Sequence, residues 1–390
     1  MRGGLAARGE VHRSMSSSGT GGNGVLAIAD SPGHVLQRIG LGWAEHASGV
    51  AHTVTTSLGQ TNHSLARLAA RHDCVHWLDQ IRFEGCGPAL ARPQVVMVHH
   101  LVDGMHRTLV PRLRHADALS TASEAGKARL EDRTGRPVEL LPYAVDCSVF
   151  RSPTKDQRRL SRAGLRNRFV AGFVGKAAAD HEGRKGVDLL MTVARDAAQT
   201  WPDFTLLLVG PGWDGLAARL ESNGVSTERR VYSQTLETVE AYWAMDALLV
   251  TAREEGGPCT TLEAMASGVP VIASAVGHVP ETIRDGDTGF VCPNREPREY
   301  ITPLAALRAG QDLRNRVAGE ARAFVERTRD EHVLVPRLPF ADLYQRAAGR
   351  YRRRGPLEQA LRRLARARLL LRHIAHRATR RRISPLGRPS

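Results

Sequence analysis

Aromatic residues are scarce, 5% of 390 positions, and the five cysteines (Cys74, Cys86, Cys147, Cys259, Cys292) form no Cys-x-x-Cys pair. An odd count at such wide spacing excludes a disulfide-stapled scaffold and a structural zinc site, and predicts reduced thiols in a cytosolic setting. No apolar run approaches the roughly 18–20 residues of a membrane-spanning helix. The longest, such as 204–209, are strand-sized. No Gly-x-Gly-x-x-Gly follows the first strand of either half, which disfavours a dinucleotide oxidoreductase. Acid is lacking at one end only. Residues 350–390 carry fourteen Arg, no Lys and a single acid, Glu358, and so supply most of the net charge of +15. The remainder is a near-neutral globule, 42% hydrophobic and 24% charged over the whole chain, with room for two or three domains at roughly 150 residues each.

Residues 1–24 are rich in Gly, Ser and Arg without an apolar core that would make a signal peptide; they are expected to be disordered, with Met15 as a second candidate start. From Gly24 onward, short β-branched or apolar runs alternate with stretches of helical spacing. Strands are expected at 25–29, 50–55, 74–78, 95–98, 116–121 and 138–141, with helices at 34–47 and 62–70. The segment 151–168 is polar and basic and reads as a linker. A second series follows: strands at 169–174, 204–209, 230–232, 247–250, 269–274 and 290–291, and helices at 187–198, near 239–244 and at 261–266. Alternation of this kind implies βαβ units and a parallel sheet. The expected layout is a first domain over 25–150, a second over 169–330, a closing helix over 331–349 and a basic tail over 350–390. Two such sheets bind ligands beyond their strands' carboxyl ends, and a site in a cleft between facing domains is the expectation.

The richest stretch is 251–294. Glu255 and Glu263 flank Gly256-Gly257-Pro258-Cys259-Thr260-Thr261, in a loop leaving one strand and entering a helix that ends at Gly268. Glycines let the backbone approach a ligand closely, and the N–H groups of a helix start favour a phosphate. A carboxylate on each side of that phosphate suits a sugar nucleotide, one acid for the ribose and one for the sugar. The competing structural reading is a capping box, with Glu263 reaching back to the Thr260 N–H. Upstream, Gly175-Lys176 and Gly183-Arg184-Lys185-Gly186 place cations on a loop after a strand, where they can stabilise a departing diphosphate. Val98-His99-His100 ends a strand of the first half, and a histidine there can donate or accept a hydrogen bond.

In sequence, Glu255…Glu263-Ala264-Met265-Ala266-Ser267-Gly268-Val269-Pro270-Val271-Ile272, followed by Gly277-His278-Val279-Pro280-Glu281 and Asp285-Gly286-Asp287-Thr288-Gly289-Phe290, resembles the signature of glycosyltransferase family 4. Those enzymes are retaining, have two Rossmann-like domains (the GT-B fold) and carry an E-x7-E motif. The resemblance spans residues 25–348 and is strongest over 169–294. It implies that Glu255 contacts donor-sugar hydroxyls, Glu263 the ribose, and Lys176 and Lys185 the diphosphate. It also implies that Gly256, Gly257, Pro258, Cys259, Thr260 and Thr261 line the donor phosphates. His99 is implied to face the donor sugar. Lys176 stands where the family usually has Arg. Leu141-Pro142-Tyr143-Ala144-Val145-Asp146 resembles the family's linker motif, with Tyr143 and Ala144 replacing Asn and Gly.

The resulting expectation is a retaining glycosyltransferase that moves a sugar from a UDP- or GDP-sugar to a glycan, lipid-linked or small-molecule acceptor. Glu255, His99 and Lys185 are its catalytic candidates. Front-face transfer assisted by the leaving diphosphate is expected, with neither cofactor nor essential metal. The alternatives are a sugar-nucleotide epimerase or phosphorylase on the same fold, or a silent nucleotide-sugar fold with an RNA-binding tail; nucleic acid is otherwise not an expected partner. Within the tail, Leu357, Ala360, Leu364, Ala367, Leu371, Ile374 and Ala378 form an apolar stripe over 356–382 on an Arg-rich helix. That pattern suits an anionic membrane surface, so a cytoplasmic enzyme, peripheral on the inner face of the cell membrane, is expected.

Overall fold

The computed structural model describes residues 12–13, 24–87, 90–101, 105–177, 183–232, 235–355, 360 and 364. These divide into two compact units, Met1–Ser120 with Leu130–Glu139 and Pro339–Ser390, and Thr121–Arg129 with Leu140–Leu338.

The first sheet contains β1 (His12–Arg13), β2 (Val25–Ala29), β3 (His52–Thr56), β4 (Cys74–Trp77), β5 (Gln94–Met97), β6 (Ala118–Thr121) and β7 (Val138–Leu140). Their order is β1-β3-β2-β4-β5-β6-β7. β3, β2, β4, β5 and β6 run parallel, whereas β1 pairs antiparallel with β3, His12 opposite Val54. The disorder expected over 1–24 therefore gives way to a short strand at 12–13; residues 1–11 and 14–23 lie outside the described residues. All five side chains of β2 are buried, as expected of a parallel strand covered on both faces.

The second sheet contains β8 (Phe169–Val174), β9 (Phe204–Val209), β10 (Thr227–Arg230), β11 (Ala247–Val250), β12 (Val271–Ser274) and β13 (Phe290–Cys292), ordered β10-β9-β8-β11-β12-β13 and parallel throughout. The helix Val187–Thr200 lays Val187, Leu190, Val193, Ala194 and Ala197 into the core of this unit with Phe173, Leu206, Leu208 and Trp213. In each sheet the chain reverses its direction of winding once, between β2 and β4 in the first and between β8 and β11 in the second. A crevice opens at the strand carboxyl ends where such a reversal occurs, because the flanking connections leave on opposite faces.

The polar segment 151–168 contains a helix. Thr154 and Gln157 close a capping box on the helix Lys155–Ser161, and Arg158 and Arg162 each reach a different oxygen of the largely buried Asp246 at 3.0 Å. Two of its basic side chains are thus paired with one interior acid. The closing helix expected over 331–349 is divided: Glu331–Leu334, a 3-10 turn Val335–Arg337, then Phe340–Arg353. This last helix buries Phe340, Leu343, Tyr344 and Ala347 in the first unit, where Tyr344 Oη lies 2.9 Å from both His52 Nε2 and His76 Nδ1. Arg354 is anchored too, its Nε 2.6 Å from the fully buried Asp117 carboxylate. Of the helix expected over 356–382, only Ala360 and Leu364 are among the described residues.

Candidate functional site

At the reversal of the second sheet, the chain leaving β8 passes through Gly175-Lys176-Ala177 and the chain leaving β11 passes through Thr251–Pro258. Between them returns the turn Gly183–Gly186, which opens the helix Val187–Thr200. Close backbone approach fixes the glycines. A Cβ on Gly186, whose φ is +67°, would lie 2.0 Å from Thr251 O. Thr251 Oγ1 donates to Lys185 O at 3.0 Å, and the Arg253 N–H donates to Arg184 O at 2.8 Å. With the two backbones joined, the side chains converge. Arg184 Nη1 is 2.7 Å and Lys185 Nζ 3.1 Å from the same oxygen, Glu255 Oε1. All three are largely buried, at 12%, 20% and 13% side-chain exposure. The Lys185 stem runs over Gly175, where a Cβ would meet Lys185 Cε at 3.3 Å. Lys176 is exposed.

The helix Cys259–Ala266 follows. Its N-cap is Pro258, with no side-chain cap. Thr260 consequently lies inside the first turn and cannot close a capping box with Glu263. Glu263 instead points into the protein, 5% exposed, and accepts a hydrogen bond from Tyr242 Oη at 2.7 Å. Thr261 uses its N–H and its hydroxyl on Pro258 O, at 2.9 and 2.7 Å, so neither is left for a phosphate in this geometry. Because that hydroxyl proton goes to Pro258, the 2.9 Å contact between Thr261 Oγ1 and His278 Nε2 makes the imidazole the donor. His278 Nδ1 is then a buried acceptor lacking a hydrogen-bond partner among the described residues. Burial lowers the pKa of His278 from 6.5 to about 3, with the Arg329 charge adding to the effect. Gly257 is held between this ring and Tyr143; a Cβ on it would stand 3.0 Å from His278 Nδ1 and from the Tyr143 ring. Gly256 lies under Gly277, whose φ of +52° and 2.6 Å approach of a Cβ to Gly256 C exclude a side chain. Cys259 is half-buried and its thiol is free of any disulfide. Gly268, with φ +73°, completes the helix C-terminus as expected.

An Asp-x-Asp, the usual metal-binding pair of many sugar-nucleotide enzymes and not expected in this chain, does occur at Asp285-Gly286-Asp287. Its carboxylates serve the fold: Asp285 Oδ1 accepts the Val291 N–H at 3.0 Å, and Asp287 pairs with Arg284 at 3.0 Å. Among the described residues no three His, Cys, Asp or Glu side chains gather as a metal site.

The reversal of the first sheet carries a second polar group. Asp30 follows β2, Ser57 follows β3 and Asp79 follows β4. Ser57 Oγ lies within hydrogen-bond distance of both Asp79 Oδ2 (2.6 Å) and Asp30 O (3.1 Å). His34 Nδ1 pairs with Asp30 Oδ2 at 2.7 Å. Burial pulls the Asp30 carboxyl up, but His34 and nearby backbone N–H groups outweigh it and hold it below its usual value. His99 is buried beside these residues in the same unit. Its Nε2 is 2.6 Å from Leu78 O, and its N–H donates to Gln80 Oε1 at 2.7 Å. Burial lowers its pKa, against the pull of Asp30 and Asp79, so the ring is a neutral donor to a backbone carbonyl. The structure thus joins Glu255 to Lys185, buries Glu263 against Tyr242 and leaves Lys176 at the surface. Tyr242, Ser57 and Asp79 have no motif of their own that would have marked them; only their spatial partners do.

Residues 168–309 match the family described as Glycosyl transferases group 1. The chain is 27% identical over 230 residues to the D-inositol 3-phosphate glycosyltransferase of Mycolicibacterium vanbaalenii, covering 54% of this chain and 47% of that protein. It is 30% identical over 217 residues to the protein of the same name from Frankia alni, covering 52% of each. To the GDP-mannose-dependent alpha-(1-6)-phosphatidylinositol monomannoside mannosyltransferase of Mycolicibacterium smegmatis it is 29% identical over 218 residues, 52% of this chain and 56% of that one. The chain spans about half the length of these relatives. Among solved structures it is similar to Anabaena Alr3699/HepE in complex with UDP and glucose, at TM-score 0.65 and 19% identity over 80% of this chain and 97% of that one. It is also similar to sucrose-phosphate synthase from Thermosynechococcus elongatus, at TM-score 0.64 and 16% identity over 83% and 98%. The fold is accordingly the two-sheet α/β fold of GT-B glycosyltransferases.

Proposed function

We propose that this chain is a retaining glycosyltransferase. The second unit holds a UDP- or GDP-sugar, and the first unit holds a hydroxyl acceptor, whether glycan, small molecule or lipid-linked. The observation that carries the reading is the Glu255 carboxylate, set at the reversal of the second sheet with two largely buried cations on one of its oxygens. Cations and a carboxylate side by side in one crevice match a ligand with a diphosphate next to sugar hydroxyls. Glu263, one turn along the helix, serves the ribose, and Lys176 adds charge from the surface. The match of residues 168–309 to a glycosyltransferase family supports the same reading.

In the proposed reaction the bond from the sugar C1 to the diphosphate breaks while the acceptor oxygen bonds to C1 on the same face. The acceptor proton passes to the departing phosphate oxygen. Lys185 stabilises the charge that grows on the diphosphate, and no metal is required for that task. Asp30 and Asp79 at the first sheet's reversal suit an uncharged or cationic polyol better than a phosphorylated one, since a phosphate would meet like charge.

The test is incubation of purified protein with UDP-, GDP- and ADP-sugars and a panel of polyol acceptors, with the product anomer read by NMR. A retained anomeric linkage supports the proposal. Donor hydrolysed or rearranged without acceptor consumption would point to an epimerase or phosphorylase instead, and an inverted product would overturn the mechanism.

A further inference from the structure

The loop that joins β11 to the helix Cys259–Ala266 has little to hold it from within. Its centre is Gly256-Gly257-Pro258, and glycine is the residue with the most backbone freedom. Among the described residues neither Gly256 nor Gly257 makes a hydrogen bond. Two rings hold the loop from outside instead. Tyr143 and His278 meet edge to face, their centroids 6.1 Å apart at 80°, and Gly257 lies against both, so that a Cβ there would stand 3.0 Å from each. Both rings are buried, and both leave backbone that is fixed elsewhere. Val145, two residues after Tyr143, donates its N–H to Arg329 O at 2.9 Å and accepts the Glu331 N–H at 3.1 Å. His278 O accepts the Glu281 N–H and the Thr282 hydroxyl, both at 3.0 Å. The imidazole also bonds to Thr261, in the first turn of the helix, at 2.9 Å. One side chain thus touches the loop and the helix that the loop enters.

We infer that His278, with the Tyr143 ring opposite it, is a positioning residue: the pair fixes the loop Gly256–Cys259 in one shape before any ligand arrives. This rests on the donor reading above. A loop that must be ordered on binding costs affinity, and a loop ordered beforehand avoids that cost. Glu255 leads into the loop and the helix leaves it, so without the rings the carboxylate and the helix start are free to shift relative to each other. Neither ring has to touch the donor; each acts through the Gly257 backbone. Cys259, the first residue after the loop, is the one cysteine of the five that is not buried, which makes its thiol a native reporter of loop opening.

The test follows iodoacetamide alkylation of each cysteine by peptide mass spectrometry in the full chain, beside calorimetric titration with UDP and GDP. Without nucleotide, His278→Ala is expected to alkylate Cys259 about tenfold faster than wild type, while the buried Cys147 and Cys292 stay within about twofold. Saturating nucleotide should close most of that gap, because the ligand then orders the loop. Affinity for the nucleotide that wild type binds should fall by about tenfold in the same variant. Tyr143→Phe keeps the ring and should stay within about twofold of wild type in both measurements. Should His278→Ala fail to fold, His278→Gln decides: it keeps a donor for Thr261 but loses the ring on Gly257, and both effects should be about threefold. A merely structural role would speed alkylation at Cys147 and Cys292 as well, and that result overturns the inference. So does an unchanged rate at Cys259, or a faster rate with unaltered affinity. If wild type binds neither nucleotide, the donor reading fails and the positioning role fails with it; wild-type binding with an unaltered Cys259 in the variants sinks only the latter.

Discussion

Glu255 and Glu263 belong to one motif but sit in different surroundings, and their variants should separate accordingly. Glu255→Gln keeps an oxygen near Arg184 and Lys185 but removes the negative charge between them. Turnover should fall by about a hundredfold or more, and the melting temperature should fall as well, because two largely buried cations lose their shared carboxylate. Unchanged turnover would remove Glu255 from the chemistry. Glu263→Gln still accepts the Tyr242 hydroxyl, so stability should hold to within about 1 kcal/mol, while nucleotide affinity weakens by about tenfold through loss of the charged acceptor. Titration calorimetry beside a melting curve checks both; equal affinity would assign Glu263 to the fold alone. Both glutamates, Lys185 and the glycine loop were legible in the sequence because a short spacing carries them. Their partners were not. Lys185 meets Glu255 from 70 positions away and Tyr242 meets Glu263 from 21, distances over which nothing local selects a partner. His99 was legible as a strand-end histidine, but its bond to Leu78 O depends on where the loop after β4 lies.

Strands whose both faces are covered were the most readable elements. β2, β8, β9 and β11 fall on their expected residues because each is a continuous apolar run. β10 was expected at 230–232 and lies at Thr227–Arg230, a polar sequence at the sheet edge with partly exposed side chains, which removes the apolar signal. The helix Lys155–Ser161 was missed for a related reason. Its burial depends on arginines meeting Asp246, and an Arg-rich segment reads as solvated. At this scale the turn at Gly186 makes a sharp test. Gly186→Ala would strain a left-handed backbone by about 1 kcal/mol and drive a methyl against Thr251 O. A lower melting temperature together with weaker donor affinity is expected, because the same turn carries Arg184 and Lys185. Loss of stability with donor affinity intact would uncouple the turn from the site.

His278 makes the loop Gly256–Cys259 sensitive to acid. Its pKa falls from 6.5 in the unfolded chain to about 3 in the fold, so between those values the unfolded state binds the extra proton. Stability is therefore complete above pH 6.5 and declines as pH falls toward 3, by up to about 1.4 kcal/mol per pH unit for one group. His52 in the first unit, lowered to about 4 by burial, adds a parallel loss between pH 6.5 and 4. Melting curves from pH 7.5 to 4.5 should steepen below 6.5. His278→Gln should flatten part of that slope, because glutamine can still donate to Thr261 without titrating. An identical slope in the variant would show that His278 does not carry the effect.

For the whole molecule, two parallel α/β sheets were foreseeable from the alternation of strands and helices, but not the winding reversal in each, nor the two discontinuous units into which the chain divides. Return of the helix Phe340–Arg353 to the first unit depends on Tyr344 finding His52 and His76, nearly 300 positions earlier in one case. That return also divides the basic tail. Arg354 is fixed on Asp117, and its Nη2 lies 3.1 and 3.2 Å from the carbonyls of His115 and Ala116. Its charge therefore belongs to the globule. Residues 356–390 still hold ten Arg and one Glu, and these are the charges available for the anionic membrane surface expected from the sequence. No helix among the described residues is long and apolar enough to cross a membrane; the attachment expected through 356–390 draws on the charge and the Leu/Ile stripe of its sequence. Each Arg near an anionic surface contributes about 1 kcal/mol, and salt should weaken the attraction as the Debye length shrinks from about 10 Å at 0.1 M to about 3 Å at 1 M. The chain should be compared with one ending at Gly355, which keeps the Tyr344 and Arg354 anchors that an earlier end would cut. Full-length protein should sediment with phosphatidylserine-containing vesicles at low salt, stay in solution with neutral vesicles, and be released at 1 M salt, while the shortened protein should ignore both. Equal sedimentation of the two proteins would place the membrane contact elsewhere on the surface, and no sedimentation of either would remove the membrane from the account.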